Sequence, residues 1–74
     1  MMRIRNRILQ IIYECNRPLS IRELTRLVYG NNYSLGQLKY VSRIVKELAK
    51  EGKVDYKFLG NKSIVKPKKV MSNG

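Results

Sequence analysis

The chain has 74 residues, enough for one domain with one small core. Sixteen Lys and Arg against five Asp and Glu give a net charge of +11, which attracts polyanions and favours nucleic acid as a partner. The absence of His and the single Cys15 exclude an internal disulfide, His-dependent nucleophiles and mixed Cys–His zinc sites. We therefore expect no enzymatic activity and no cofactor, in a cytoplasmic, nucleoid-associated protein.

The first predicted element is a helix from about Arg3 to Cys15. Its apolar residues recur at helical spacing, at Ile4, Ile8, Ile11, Ile12 and Cys15. Asn16 tolerates the left-handed conformation that ends many helices, and Pro18 prevents continuation. Residues 17–19 are predicted to form a short extra strand.

A second helix is predicted to begin after Ser20 and to end near Tyr29. Ser20 and Glu23 have the spacing of a reciprocal capping box. The predicted buried face consists of Ile21, Leu24, Leu27 and Val28, and the exposed face of Arg22, Thr25 and Arg26. A Gly-Asn-Asn turn follows at residues 30–32.

The third helix is predicted over residues 34–51, with Ser34 and Gln37 forming its capping box. Its buried stripe is Leu38, Val41, Ile44, Val45 and Leu48. Gly52 is the expected residue just beyond the helix end. Two capped helices joined by a short turn form a helix-turn-helix unit.

A β-hairpin is predicted over residues 53–67, because the apolar period changes there from helical spacing to two. Val54, Tyr56 and Phe58 are expected to face the helices, and Gly60-Asn61 forms a type II′ turn. That turn pairs residue 59 with 62, 58 with 63, 56 with 65, and 55 with 66. Pro67 ends the second strand, and residues 68–74 form a short basic, polar tail.

Three helices followed at once by a hairpin resemble the winged helix-turn-helix superfamily, over residues 3–67. The resemblance implies an α+β domain at residues 1–67, like small archaeal, viral or plasmid transcription regulators. It also implies that the third helix enters the major groove of double-stranded DNA, while the hairpin, or wing, contacts the backbone or minor groove.

Candidate DNA-binding residues follow from the faces left exposed. On the third helix they are Gly36, Lys39, Tyr40, Arg43, Lys46 and Lys50. On the second helix they are Arg22 and Arg26, and on the wing Lys57, Asn61 and Lys62. Arg43 is placed to contact a guanine edge through two hydrogen bonds, and Gly36 removes bulk where the helix meets the groove.

The preferred hypothesis is a sequence-specific transcription regulator. The alternatives are a non-specific architectural protein binding DNA or RNA, and a winged helix that binds another protein. A monomer or a homodimer is compatible with the sequence, and Met1, Met2, Leu9 and Tyr13 are the apolar candidates for a dimer contact. No run of 18 apolar residues is present, so we expect no membrane association.

Overall fold

In a computed structural model, residues 3–68 are described, and they form three helices and a three-stranded antiparallel sheet. The elements in chain order are α1 (Ile4–Cys15), β1 (Leu19–Ser20), α2 (Ile21–Tyr29), α3 (Leu35–Lys50), β2 (Val54–Leu59) and β3 (Lys62–Pro67). The strand order is β1-β3-β2, so the hairpin of β2 and β3 meets β1 along β3. This is the predicted α+β winged helix-turn-helix architecture.

The helix ends follow the predicted local chemistry. Asn16 adopts a left-handed conformation with φ 50° and ends α1. At the start of α3, the Ser34 hydroxyl accepts from the Gln37 backbone N–H, and the Gln37 side chain accepts from the Ser34 N–H. Both hydrogen bonds of the predicted capping box are therefore present.

The end of α3 is a Schellman motif centred on Gly52, whose φ is +78°. The Gly52 N–H donates to the Ala49 carbonyl at 3.0 Å, and the Lys53 N–H donates to the Leu48 carbonyl at 2.9 Å. Only three residues connect α3 to β2, so this motif sets the direction in which the hairpin leaves the helix.

The core lies where the three helices meet the inner face of the sheet. Its buried apolar side chains are Ile8, Ile12, Leu19, Ile21, Leu24, Val41, Ile44, Val45, Leu48, Val54 and Val65. The stripe predicted for α3 is confirmed, with Leu38 only partly buried at its N-terminal end. Burial of this stripe fixes which side of α3 faces solvent.

The predicted faces of α2 are wrong at two positions. Thr25 is fully buried, and its hydroxyl donates to the Ile21 carbonyl at 2.7 Å, whereas Leu27 is exposed. The packed stripe runs through residues 21, 24, 25 and 28, and Leu27 lies about 100° away from its centre, because each residue turns the helix by that angle. A buried hydroxyl that bonds within its own helix leaves no unsatisfied polar group.

The capping box predicted at α2 is only half formed. The Ser20 hydroxyl accepts from the Glu23 backbone N–H, but the Glu23 carboxylate accepts from the Arg17 guanidinium at 2.7 Å. Ser20 also belongs to β1, and this strand residue pairs with Ile64. The side chain of Glu23 is thus directed to Arg17 instead of the helix end.

The hairpin register is the predicted one in all four pairs: 59 with 62, 58 with 63, 56 with 65, and 55 with 66. Gly60 has a φ of +59°, whereas Asn61 has a negative φ, as in a type II′ turn. The extra strand is also present, shifted to Leu19–Ser20. Phe58, however, is not covered by the helices as predicted, because the hairpin extends past them and its tip is exposed.

Parts of two predictions concern residues outside the described range. Residues 69–74 of the predicted tail, and Met1 and Met2 of the candidate dimer contact, fall there. The division into a domain at 1–67 and a tail at 68–74 stays a prediction. Among residues 3–68, no helix is long and apolar enough to cross a membrane.

Candidate nucleic-acid interface

The exposed side of α3 forms a row of cationic side chains that we call the α3 ridge, defined as Lys39, Arg43, Lys46 and Lys50. The ridge lies opposite the buried stripe of the same helix, and all four residues are exposed. The same residues line a shallow groove along the helix, together with Ser42, Glu47 and Ala49. Four positive charges thus follow one helix face over about three turns.

Arg43 lies in the middle of the α3 ridge, and its side chain is 80% exposed. Its guanidinium lies 3.8 Å from the Glu47 carboxylate, one turn further along the helix. Such an exposed pair contributes little, and the order Arg before Glu is the less favourable one along a helix. The guanidinium is therefore free to exchange Glu47 for another acceptor.

A second groove, of about 710 Å³, lies between the start of α2, the first turns of α3 and the hairpin turn. We call it the wing groove. The lining residues that matter here are Arg22, Leu35, Lys39, Ser42, Asn61 and Lys62. Lys39 and Ser42 line both grooves, so the wing groove continues directly into the α3 ridge.

The electrostatics of the wing groove are positive on three sides. Arg22, Lys39 and Lys62 come from α2, α3 and the hairpin respectively, and all three are exposed. The nearby Glu23 carboxylate is paired with the Arg17 guanidinium, whose hydrogen bond lowers the pKa of the Glu23 carboxyl, so its negative charge is offset by Arg17 and not by the groove cations. The first backbone N–H groups of α2 add partial positive charge at the same place.

Four predicted site residues are exposed but do not line either groove: Gly36, Tyr40, Arg26 and Lys57. Tyr40 lies toward Tyr29 of α2, where burial, and secondarily the neighbouring Tyr40, raises the pKa of the Tyr29 hydroxyl. Lys57 is paired with Ile64 across the hairpin. These residues surround the grooves instead of forming them.

Within residues 3–68, no neighbouring atom requires glycine at position 36. A Cβ added there meets only the Ser34 hydroxyl, at 3.8 Å, which is ordinary contact distance. Glycine within a helix costs up to about 1 kcal/mol relative to alanine. Glycine at position 36 therefore lowers the stability of α3 although the structure has room for a larger side chain.

Sequence reasoning missed Leu35 and Ser42 as members of the wing groove. They lie four residues before and three residues after Lys39, so helical spacing places all three on one side. Leu35 is 66% exposed although it is apolar, and it falls outside the buried stripe of α3. The position of an apolar residue, Leu35, outside the buried stripe was the feature of the sequence that could have indicated this groove.

The hairpin is held in position from its base. The Tyr13 hydroxyl of α1 donates to the Lys53 carbonyl at 2.6 Å, just before β2. Beside it, Arg5 of α1 donates a hydrogen bond to Glu51, which holds the pKa of the Glu51 carboxyl below its ordinary value. The orientation of the wing relative to α3 is therefore fixed by contacts with α1.

No protein-family model and no curated protein matches the chain. Among solved structures, a chain of HOP2 is similar, with a TM-score of 0.69 and 25% sequence identity over 88% of this chain and 98% of that one. That structure comes from work on the DNA recognition and protein interaction domains of HOP2 and on its homologous DNA pairing properties. The likeness agrees with the winged-helix architecture described above.

Proposed function

We propose that this protein binds double-stranded DNA, with α3 in the major groove and the hairpin against the backbone and minor groove, and that it is a sequence-specific transcription regulator. The observation that carries the proposal is the continuity of the α3 ridge with the wing groove, which makes one exposed cationic surface from three elements. The DNA recognition attributed to the similar HOP2 domain supports the same function.

The dimensions of the surface suit a duplex. An α-helix with its side chains is about 10–12 Å wide and fits the major groove, which is about 12 Å wide. Lys46 and Lys50 lie toward the end of α3, while Lys62 and Arg22 lie at the wing groove, so phosphates on both sides of the helix have cationic partners. With Lys39 these make five contacts, which give a log–log salt slope of about −4.5.

Arg43 is the residue we assign to base recognition. Its exposed guanidinium is held only by the weak Glu47 pair, and it lies between Lys39 and Lys46 on the ridge. A guanidinium donates two hydrogen bonds to O6 and N7 of guanine, which discriminates against other bases by about 1–3 kcal/mol. Lys62, beside the hairpin turn, is assigned to a phosphate.

The test is a selection of binding sites from random duplexes at about 0.15 M salt, followed by titration of two variants on the selected and on a random duplex. Arg43→Ala is expected to reduce the preference for the selected duplex by about 1–3 kcal/mol. Lys62→Ala is the matched control, and it is expected to weaken both duplexes alike and to reduce the salt slope by about 0.9.

Other outcomes separate the alternatives. Equal competition by random duplex, or by double-stranded RNA, would indicate a non-specific architectural protein. Absence of any retardation at moderate salt would indicate a protein-interaction module. Identical effects of Arg43→Ala and Lys62→Ala on every duplex would exclude base recognition by α3.

A further inference from the structure

The hairpin tip has exposed apolar side chains that the fold does not use. Phe58 is 66% exposed and Leu59 is 61% exposed, and both directly precede the Gly60-Asn61 turn. Consecutive strand residues point to opposite faces, so the tip is apolar on both faces. Across the hairpin, Phe58 is paired with Ser63 and Leu59 with Lys62, so neither has an apolar cross-strand partner.

These side chains differ from the other exposed apolar residues of the described chain. Tyr13, Leu27 and Tyr40 are 42–48% exposed, whereas Leu35, Phe58 and Leu59 are 61–66% exposed. Leu35 lines the wing groove, and Phe58 and Leu59 are paired with the groove-lining Ser63 and Lys62. The most exposed apolar surface within residues 3–68 is therefore concentrated at and beside the wing groove.

The charges around the tip identify what it fits. Lys57 precedes Phe58 on β2 and Lys62 is paired with Leu59 across the turn, so both exposed lysines share the Leu59 face of the hairpin. An apolar tip with two cations on one face, beside the cationic wing groove, matches the DNA minor groove, where base edges and sugars lie between two rows of phosphates. Apolar side chains that enter this groove separate neighbouring base pairs and bend the duplex toward the major groove.

We propose that Phe58 and Leu59 form a wedge that enters the minor groove and partly unstacks one base step, so that the bound duplex is bent. The ring of Phe58 enters the step, and Leu59 packs against the sugars on the other face of the hairpin. This inference rests on the proposed binding of double-stranded DNA and adds deformation of the DNA to it.

The test uses a short duplex with a donor and an acceptor dye at its ends, and a second duplex with 2-aminopurine at successive positions. The wild-type protein is expected to bend the duplex by an angle within about 20–90° and to raise 2-aminopurine fluorescence at one step. Phe58→Ala is expected to abolish both signals at saturation and to weaken binding about 10-fold. Leu59→Ala is expected to have a smaller effect on both.

Two further variants make the result specific. Leu27→Ala removes an exposed apolar side chain on α2 and is expected to change neither bend nor affinity. Lys62→Ala is expected to reduce the salt slope by about 0.9 while leaving the bend at saturation intact. Circular dichroism of Phe58→Ala is expected to match the wild type, because the side chain is mostly exposed.

The wedge is overturned if the wild type binds duplex without bending it, or if Phe58→Ala bends it as strongly. It is also overturned if the free wild type sediments as a dimer that Phe58→Ala converts to a monomer while the bend persists, because the tip then joins two copies. Failure of the wild type to bind any duplex would overturn the proposed function as well, so the two failures are distinguishable.

Discussion

The two ends of the hairpin have the same sequence pattern and different surroundings. At the base, Val54 and Val65 are buried against the helices, while at the tip Phe58 and Leu59 are exposed. Alternation of side chains continues along both strands without a break in register. The comparison shows that apolar periodicity tells which way a side chain points, but not whether another element is there to cover it.

A similar contrast exists between residues that are bonded within the fold and residues that are exposed on the candidate site. On the side of α1, Tyr13 and Arg5 hold the residues that connect α3 to the hairpin. Elsewhere, the cationic side chains of the α3 ridge and of the wing groove are exposed to solvent. We expect substitutions of the bonded residues to change stability and those of the exposed residues to change binding.

The largest expected effect is at the base of the hairpin. Val65→Ala removes two methyl groups from a fully buried position and is expected to lower the free energy of unfolding by about 2–3 kcal/mol. Phe58→Ala changes a residue nearer the tip, on the strand paired with that of Val65. It is expected to change the free energy of unfolding by less than about 0.5 kcal/mol. Urea denaturation of the two variants measures the difference, and equal losses would contradict the proposed division.

A smaller effect is expected at the contact between α1 and the hairpin. Tyr13→Phe removes the hydroxyl that donates to the Lys53 carbonyl at 2.6 Å, and it is expected to cost about 1 kcal/mol of stability. Tyr40→Phe, on the exposed side of α3, is the matched control and is expected to leave thermal unfolding unchanged. If Tyr40→Phe lost more stability than Tyr13→Phe, the hydrogen bond from Tyr13 to Lys53 would not be the stabilising contact.

An effect on stability of the opposite sign is expected at Gly36. Gly36→Ala is expected to stabilise the helix by up to about 1 kcal/mol, because a Cβ there has room. If close approach of α3 to DNA requires glycine, the same variant binds duplex about 3-fold or more weakly. Gain of stability with unchanged binding would show that position 36 does not approach the DNA.

Much of the fold was predictable because it depends on neighbours in sequence. The capping box at Ser34, the end of α1 at Asn16 and the hairpin register through Gly60-Asn61 all depend on residues within a few positions of each other. The partner of Glu23 was not predictable in this way, because Arg17 comes from the preceding loop and competes with the helix end.

The candidate site likewise has one part that could be predicted from the sequence and one part that could not. The α3 ridge follows from the spacing of one helix, so all its members were predicted from sequence. The wing groove depends on how far the hairpin turn lies from α3, and this distance is set by tertiary contacts. Leu35 and Ser42 therefore escaped prediction, and Tyr40, which is exposed but lines neither groove, stays a predicted contact.

The connection at Gly52 has a consequence for the proposed binding of DNA. The N–H groups of all three connecting residues are bonded to the last turn of α3, and the Lys53 carbonyl is bonded to α1. These hydrogen bonds hold the hairpin, with its proposed wedge, in one position relative to the α3 ridge. A duplex that engages both in the proposed way would meet them at one separation, set by the protein backbone and not by the bases.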